Sequence, residues 1–163
     1  MKSLWIAVLA VLVGLGRVAG CAGEAAASPR PAGSPEITYT EKEEETMLTL
    51  KIGETAVAVD WEENESVSAL RELCRAEPLT VSMEMYGGFE QVGALGAALP
   101  RQDTQTTTQA GDIVLYSGNQ IVVFYGSNAW AYTRLGHITD KDADALRDLL
   151  GNGSVTLTLA LEG

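Results

Sequence analysis

The chain has 163 residues, with 11 Lys+Arg against 22 Asp+Glu and a net charge of −11. That surplus of acids excludes general nucleic-acid binding, which needs Lys and Arg to neutralise phosphates, and argues against an unlipidated domain docking on anionic lipid. At 46% hydrophobic residues the chain is not disordered overall, and its length fits one ordinary domain. One His and two Cys leave few ligands for a transition metal, so neither a metal nor a cofactor is expected.

Lys2 precedes an apolar run from Leu4 to Leu15, a charged n-region followed by an h-region of secretory length. The run is too short for a comfortable membrane span, which needs about 20 apolar residues. Val18-Ala19-Gly20-Cys21 follows and looks like a bacterial lipobox: a branched apolar residue, two small residues that let the backbone enter a peptidase cleft, then a thiol to accept the lipid. Arg17, close to the cut, is unusual for such a site, and an ordinary signal peptide or an uncleaved anchor is the alternative. Residues 1–20 are therefore expected to be a leader and Cys21 the lipidation site. Residues 21–46 are read as a tether. Ala22–Pro35 is Ala/Gly/Ser/Pro-rich and Glu41–Glu45 is an acidic run, so this stretch buries too little apolar surface to fold. The expected location is the extracytoplasmic side of a bacterial membrane, held there by lipid on Cys21.

The folded domain is expected over 47–163, as a monomer. Thr46–Ile52 and Thr55–Trp61 alternate in hydropathy around Gly53-Glu54, which predicts a β-hairpin. Asn64 is positioned as an N-cap for a helix with Val67, Leu70, Leu73 and Cys74 on its apolar face, and Pro78 forbids continuation. Cys74 on that face is a buried inert thiol, since nothing nearby in sequence supplies a base. Leu79–Met85 alternates again and predicts a strand closed by Gly87-Gly88. Residues 89–110 are Gly-, Ala-, Thr- and Gln-rich, which predicts a long irregular connection with room for one short strand.

Ile113–Tyr116 and Ile121–Tyr125 read as two strands around Ser117–Gln120, the second apolar on both faces and therefore central. Trp130–Thr133 is a further short strand. Thr139 or Asp140 is expected to cap a second helix bearing Ala143, Leu146, Leu149 and Leu150, stopped at Gly151. Ser154–Leu161 alternates and closes the chain. Seven or eight short strands with two short helices predict a mainly-β fold, a closed or nearly closed barrel whose open ends the helices plug.

This order of elements resembles the cyclophilin-like barrels. Ser66–Cys74 resembles the first cyclophilin helix, and Gly111–Phe124 resembles the strand pair around an Asn-rich turn. Leu135-Gly136-His137-Ile138 resembles the segment that leads into the second helix. More closely, 47–163 is similar to a group of small bacterial cyclophilin-like domains in which a Gly-Asp-hydrophobic strand and a Tyr-Thr-Arg-Leu-Gly-Arg-Ile segment recur; here the latter runs Tyr132–Ile138 with His137 at the second Arg. Active cyclophilins carry Phe-His-Arg on the strand after the first helix, followed by Gln-Gly-Gly-Asp. The resemblance places Ser82–Tyr86 there, with Glu84 and no Arg between Arg75 and Arg101. Prolyl isomerase activity is accordingly not expected. The expected function is a noncatalytic, membrane-tethered binding module for a peptide or small molecule, and the alternative is a divergent peptidyl-prolyl isomerase serving secreted proteins.

Tyr116, Trp130, Tyr132 and Arg134 are the candidate ligand-binding residues. Arg134 is the best-placed cation for an anionic or carbonyl group, against an equal case for a salt bridge with one of the many carboxylates. At least half of the aromatic set that also includes Phe124 and Tyr125 is expected to be core. His137, the single His, is read as a strand-end residue rather than part of a triad. Asp103–Gln109 is polar and suits either an extended ligand or a solvated loop. The ligand groove is expected between the barrel wall and the 89–110 segment.

Overall fold

The computed structural model describes residues 46–163. The leader, Cys21 and the tether up to residue 45 lie outside the described residues. β1 (Met47–Ile52) turns at Gly53, where φ is +57°, into β2 (Thr55–Val57). β2 pairs with β1, but the chain breaks at Ala58 and resumes as β3 (Val59–Trp61), which pairs with a different neighbour. The single strand expected over Thr55–Trp61 is therefore two. The backbone groups at the break find partners in the segment ahead of the second helix: Ala58 N–H donates to Asp140 Oδ1 at 3.0 Å, and its carbonyl accepts from Thr139 N–H at 2.9 Å.

α1 (Glu65–Leu73) starts where expected, with Asn64 Oδ1 accepting from Val67 N–H at 2.9 Å. Its buried face carries Val67 and Leu70, and Cys74 at its end is a buried free thiol. β4 (Leu79–Tyr86) follows, and Gly87 and Gly88, both at positive φ, turn it into β5 (Glu90–Ala94). Residues 89–110, read as an irregular connection with room for one short strand, thus contain two strands, β5 and β6 (Thr104–Thr107). β5 escaped the hydropathy pattern because its inward positions are not apolar. Gln91 is fully buried and donates through Nε2 to the Leu150 and Gly153 carbonyls at 2.6 and 2.7 Å. Gly93 is a glycine because a Cβ there would sit 2.4 Å from Met83 Sδ and 2.5 Å from Val81 Cγ1.

β7 (Asp112–Tyr116) and β8 (Gln120–Phe124) form the expected pair, and β9 (Ala129–Ile138) runs ten residues where four were expected. It continues past Thr133 through Leu135-Gly136 because Gly136 packs directly on β3: a Cβ would lie 2.7 Å from the Asp60 carbonyl. A register shift between Ile113 and Val114 absorbs the mismatch with β7. α2 (Ala143–Leu150) is capped by Asp142, whose Oδ1 accepts from Ala145 N–H at 2.9 Å, and not by Thr139 or Asp140, which are committed to Ala58. Gly151 ends it, and β10 (Val155–Glu162) completes the fold.

The strands lie in the order β2-β1-β10-β4-β5-β8-β7-β9-β3, all neighbours antiparallel, with β6 on β9 off this path. Because β2 and β3 are one strand interrupted at Ala58, the ladder's two ends are joined by the chain itself, giving a nearly closed barrel. The fold is thus the mainly-β barrel with two helices that the sequence predicts. Its interior is filled by residues such as Leu50, Ile52, Met83, Ile113, Ile121, Leu135 and Leu157, with Leu70 of α1 and Leu146 and Leu150 of α2 in the same cluster. Among the described residues no helix is long and apolar enough to cross a membrane.

Candidate functional site

Alternation along the strands sends every second residue outward. On β7 and β8 the inward set is Ile113, Leu115, Ile121 and Val123, and the outward set is Val114, Val122 and Phe124. An outward face is ordinarily polar, yet these three are buried. They form a second apolar cluster with Tyr132 of β9, against which Phe89 and Val92 pack. The outer wall of the barrel therefore carries a floor of apolar side chains, and above it lies a groove of about 490 Å³.

Each wall of the groove has a strand behind it. β4 brings Glu84, Met85 and Tyr86, β5 brings Glu90, β7 brings Tyr116, and β9 brings Trp130 and Tyr132. Tyr132 is the keystone. Its ring meets Phe124 edge-on at a centroid distance of 5.7 Å and Tyr116 at 6.0 Å, and its hydroxyl accepts from Asn128 Nδ2 at 3.0 Å. Trp130 and Tyr86 are 58% and 67% exposed, an unusual cost for large aromatic faces on an otherwise acidic surface.

Glu90 gives the groove its charge. It is only 6% exposed, and its Oε2 is buried without a hydrogen-bond partner. Burial pushes its carboxyl above the usual carboxylate range. Burial likewise raises the Tyr132 phenol, reinforced by the negative charge of Glu90 and opposed by the hydrogen bond from Asn128. Tyr125, whose buried hydroxyl also lacks a partner, is raised by burial and then by Glu90.

Of the four residues singled out from sequence, Tyr116, Trp130 and Tyr132 come together in this groove; Arg134 does not line it. Its guanidinium is 3.0 Å from Asp112 Oδ1 and 3.4 Å from Glu62 Oε1, facing a separate hollow of about 180 Å³ beside Asn64, Pro100 and Thr133. Asp112 is the anchor of that region. It is 1% exposed, its Oδ2 accepts from Gln109 N–H at 3.0 Å, and His137 Nδ1 lies 2.8 Å from its Oδ1. His137 thus sits near the end of β9 as a partner of Asp112. Phe124 and Tyr125 are core, as is Tyr132 apart from its groove edge. Asp103–Gln109 is largely the edge strand β6, in register with β9 from Thr104↔Tyr132 to Thr107↔Ala129.

Sequence reading missed Glu90, Asn128 and the end of β4 as groove residues. The groove is walled by the β4 terminus and β5 on one side and β9 on the other, with Glu90 and Val92 its only lining from 89–110. The alternation Glu90-x-Val92 opposite Val122 and Phe124 was the available signal, concealed by the Gly and Gln between and beside them.

The sequence model of the cyclophilin-like family matches residues 50–160. A search of the curated proteins finds no match. Among solved structures the chain is similar to McbB in complex with tryptophan, at 14% identity and a TM-score of 0.51, over 72% of this chain and 45% of McbB, so it spans less than half of that protein. It is also similar to the hypothetical protein AF2241 from Archaeoglobus fulgidus, at 15% identity and a TM-score of 0.52, over 76% of this chain and 99% of the other. At these identities the structural likeness speaks for the fold.

Proposed function

This chain belongs to the cyclophilin-like family, and from that premise we propose that it is a noncatalytic binding module that holds a peptide or small molecule in the groove above Tyr132. The carrying observation is the chemistry of the groove lining: aromatic rings and two carboxylates, Glu84 and Glu90, with no Arg or Lys among the described lining residues. Rotation about a prolyl amide faces a barrier of about 18–20 kcal/mol, set by amide resonance. A cation aimed at the amide relieves that resonance; a carboxylate does not. Glu84 and Met85 stand on β4, the strand that the resemblance to cyclophilins matches to the Arg-bearing strand of the active enzymes. Isomerase chemistry through Arg134 would require its guanidinium to leave Asp112, which is buried and would lose a charged partner. That McbB, of the same fold, forms a complex with tryptophan supports keeping small molecules beside peptides in the ligand class.

The module is proposed to be carried on the extracytoplasmic face of a bacterial membrane by lipid on Cys21. The support is the n-region, h-region and lipobox order of the first 21 residues. Heteronuclear NMR of the full chain in detergent, titrated with short peptides and small amphipathic molecules, tests the binding reading. Shifts confined to Trp130, Tyr132, Tyr116 and their neighbours support it; ligand shifts that consistently fall elsewhere on the barrel overturn it.

A further inference from the structure

We propose that the ligand this groove selects carries an N–H-bearing organic cation, a protonated primary amine or guanidinium, seated against Glu90 and flanked by the rings of Trp130, Tyr86 and Tyr116. The inference rests on the reading of the groove as a binding site and adds the chemical class of what enters it.

Glu90 is the argument's core. A carboxylate that is 94% buried ordinarily has its oxygens satisfied, because leaving one unpaired costs the full desolvation of that oxygen. Here Oε2 has no donor, although Asn128 and three tyrosines share the lining. Asn128 is already committed: its Nδ2 goes to Tyr132 and its Oδ1 accepts from Ala129 N–H at 2.8 Å. No hydrogen bond within the chain compensates this oxygen, and Glu90 itself lines the groove, so a cation seated at the groove face of the carboxyl offsets its buried charge. Glu84, two residues before Tyr86 on β4, adds a second negative charge at the same groove. The exposed faces of Trp130 and Tyr86 supply the π surface that holds an organic cation once its hydration is stripped. The chain's net charge of −11 favours cations at long range as well.

This combination discriminates. A neutral ligand leaves the charge of Glu90 uncompensated. An anion meets two carboxylates. A quaternary ammonium satisfies the rings but gives Glu90 no N–H. The shared chemistry of Lys or Arg side chains on a peptide and of a free amine is what the site reads, and titration separates the two sources.

The test is a titration of the full chain in detergent, read by the indole N–H resonance of Trp130, assigned through Trp130→Phe. The probes are Nα-acetyl-lysine amide, Nα-acetyl-arginine amide, n-butylamine, a Lys-centred pentapeptide, and the Nε-acetyl, Nε-trimethyl and norleucine counterparts of the lysine probe. We expect the N–H cations to bind at least about tenfold more tightly than the acetylated, trimethylated and norleucine forms, and Glu90→Gln to lose at least about tenfold. Glu90→Gln leaves a neutral isostere in the buried site, so a retained spectrum shows that the loss is not unfolding. A pentapeptide much tighter than n-butylamine assigns the cation to a peptide; equal affinities assign it to a free amine. Equal binding of lysine and norleucine probes, or wild-type affinity in Glu90→Gln, overturns the cation while leaving the groove as a binding site. Silence of the Trp130 indole to every probe overturns both.

Discussion

Glu90 sets the most informative prediction at the scale of single residues. Burial raises its folded-state pKa above the ordinary glutamate value of about 4.3. Below that ordinary value the carboxyl is protonated in both states and carries no penalty. As pH rises, the unfolded chain ionises first, so the native state loses stability through the window between the ordinary and raised values and stays at the lower level above it. Glu90→Gln is therefore expected to melt higher than wild type at pH 7, with the gap closing as the pH falls to about 4; thermal unfolding across that range reads it. A gap independent of pH would mean that Glu90 is not the titrating group. Gly93 offers the opposite case. A methyl group there meets Met83 Sδ at 2.4 Å and the Ser82 carbonyl at 2.9 Å, so Gly93→Ala is expected to cost about 1–3 kcal/mol by overpacking between β5 and β4, measured by denaturant unfolding.

Whole elements were legible in the sequence wherever their inner face was uniformly apolar and their ends carried caps. β1, α1, β4, the β7–β8 pair, α2 and β10 all meet that condition, and Asn64 was recognisable as a cap from its place three residues ahead of Val67. Three features hid the rest. β5 turns Gln91 and Gly93 inward, a buried amide spent on the carbonyl at the end of α2 and on one in the turn after it, and a glycine spent on close packing, so its pattern reads as loop. β9 continues through Leu135-Gly136 because the glycine admits β3. The break at Ala58 depends on Thr139 and Asp140, about eighty residues away, which no local pattern reveals. The groove was half legible for the same reason: Tyr116, Trp130 and Tyr132 stand in recognisable strands, whereas Glu90 stands in the hidden one. Arg134 was indistinguishable in sequence from a ligand-facing cation, since its pairing with Asp112 joins strands that share no local motif. At this scale Asn64→Ala is expected to destabilise the domain by about 1 kcal/mol or slightly more, because the side chain both caps α1 and donates through Nδ2 to the Arg134 carbonyl at 2.9 Å. Chemical denaturation with an unchanged slope would confirm a loss of stability without a change of fold.

Taken as a whole molecule, the proposal is a barrel that displays one aromatic, carboxylate-bearing groove at the end of an acidic, lipid-anchored chain. The anchoring half predicts that Cys21→Ala abolishes membrane association while leaving the unfolding midpoint of the barrel unchanged. Fractionation in high salt checks it, and a variant still sedimenting with membranes would contradict the lipid. The proposed binding is separable from catalysis by experiment: no Arg is among the described residues lining the groove, and Arg134 is held by Asp112 and Glu62. Both halves of that statement are read by one measurement, NMR exchange spectroscopy on a Lys- and Pro-containing peptide mixed with the full chain. The account predicts that the peptide perturbs the Trp130 indole while its cis–trans exchange rate stays at the uncatalysed value, in wild type and Arg134→Ala alike. A clear acceleration of exchange, lost in Arg134→Ala, would contradict it and make Arg134 the catalytic residue.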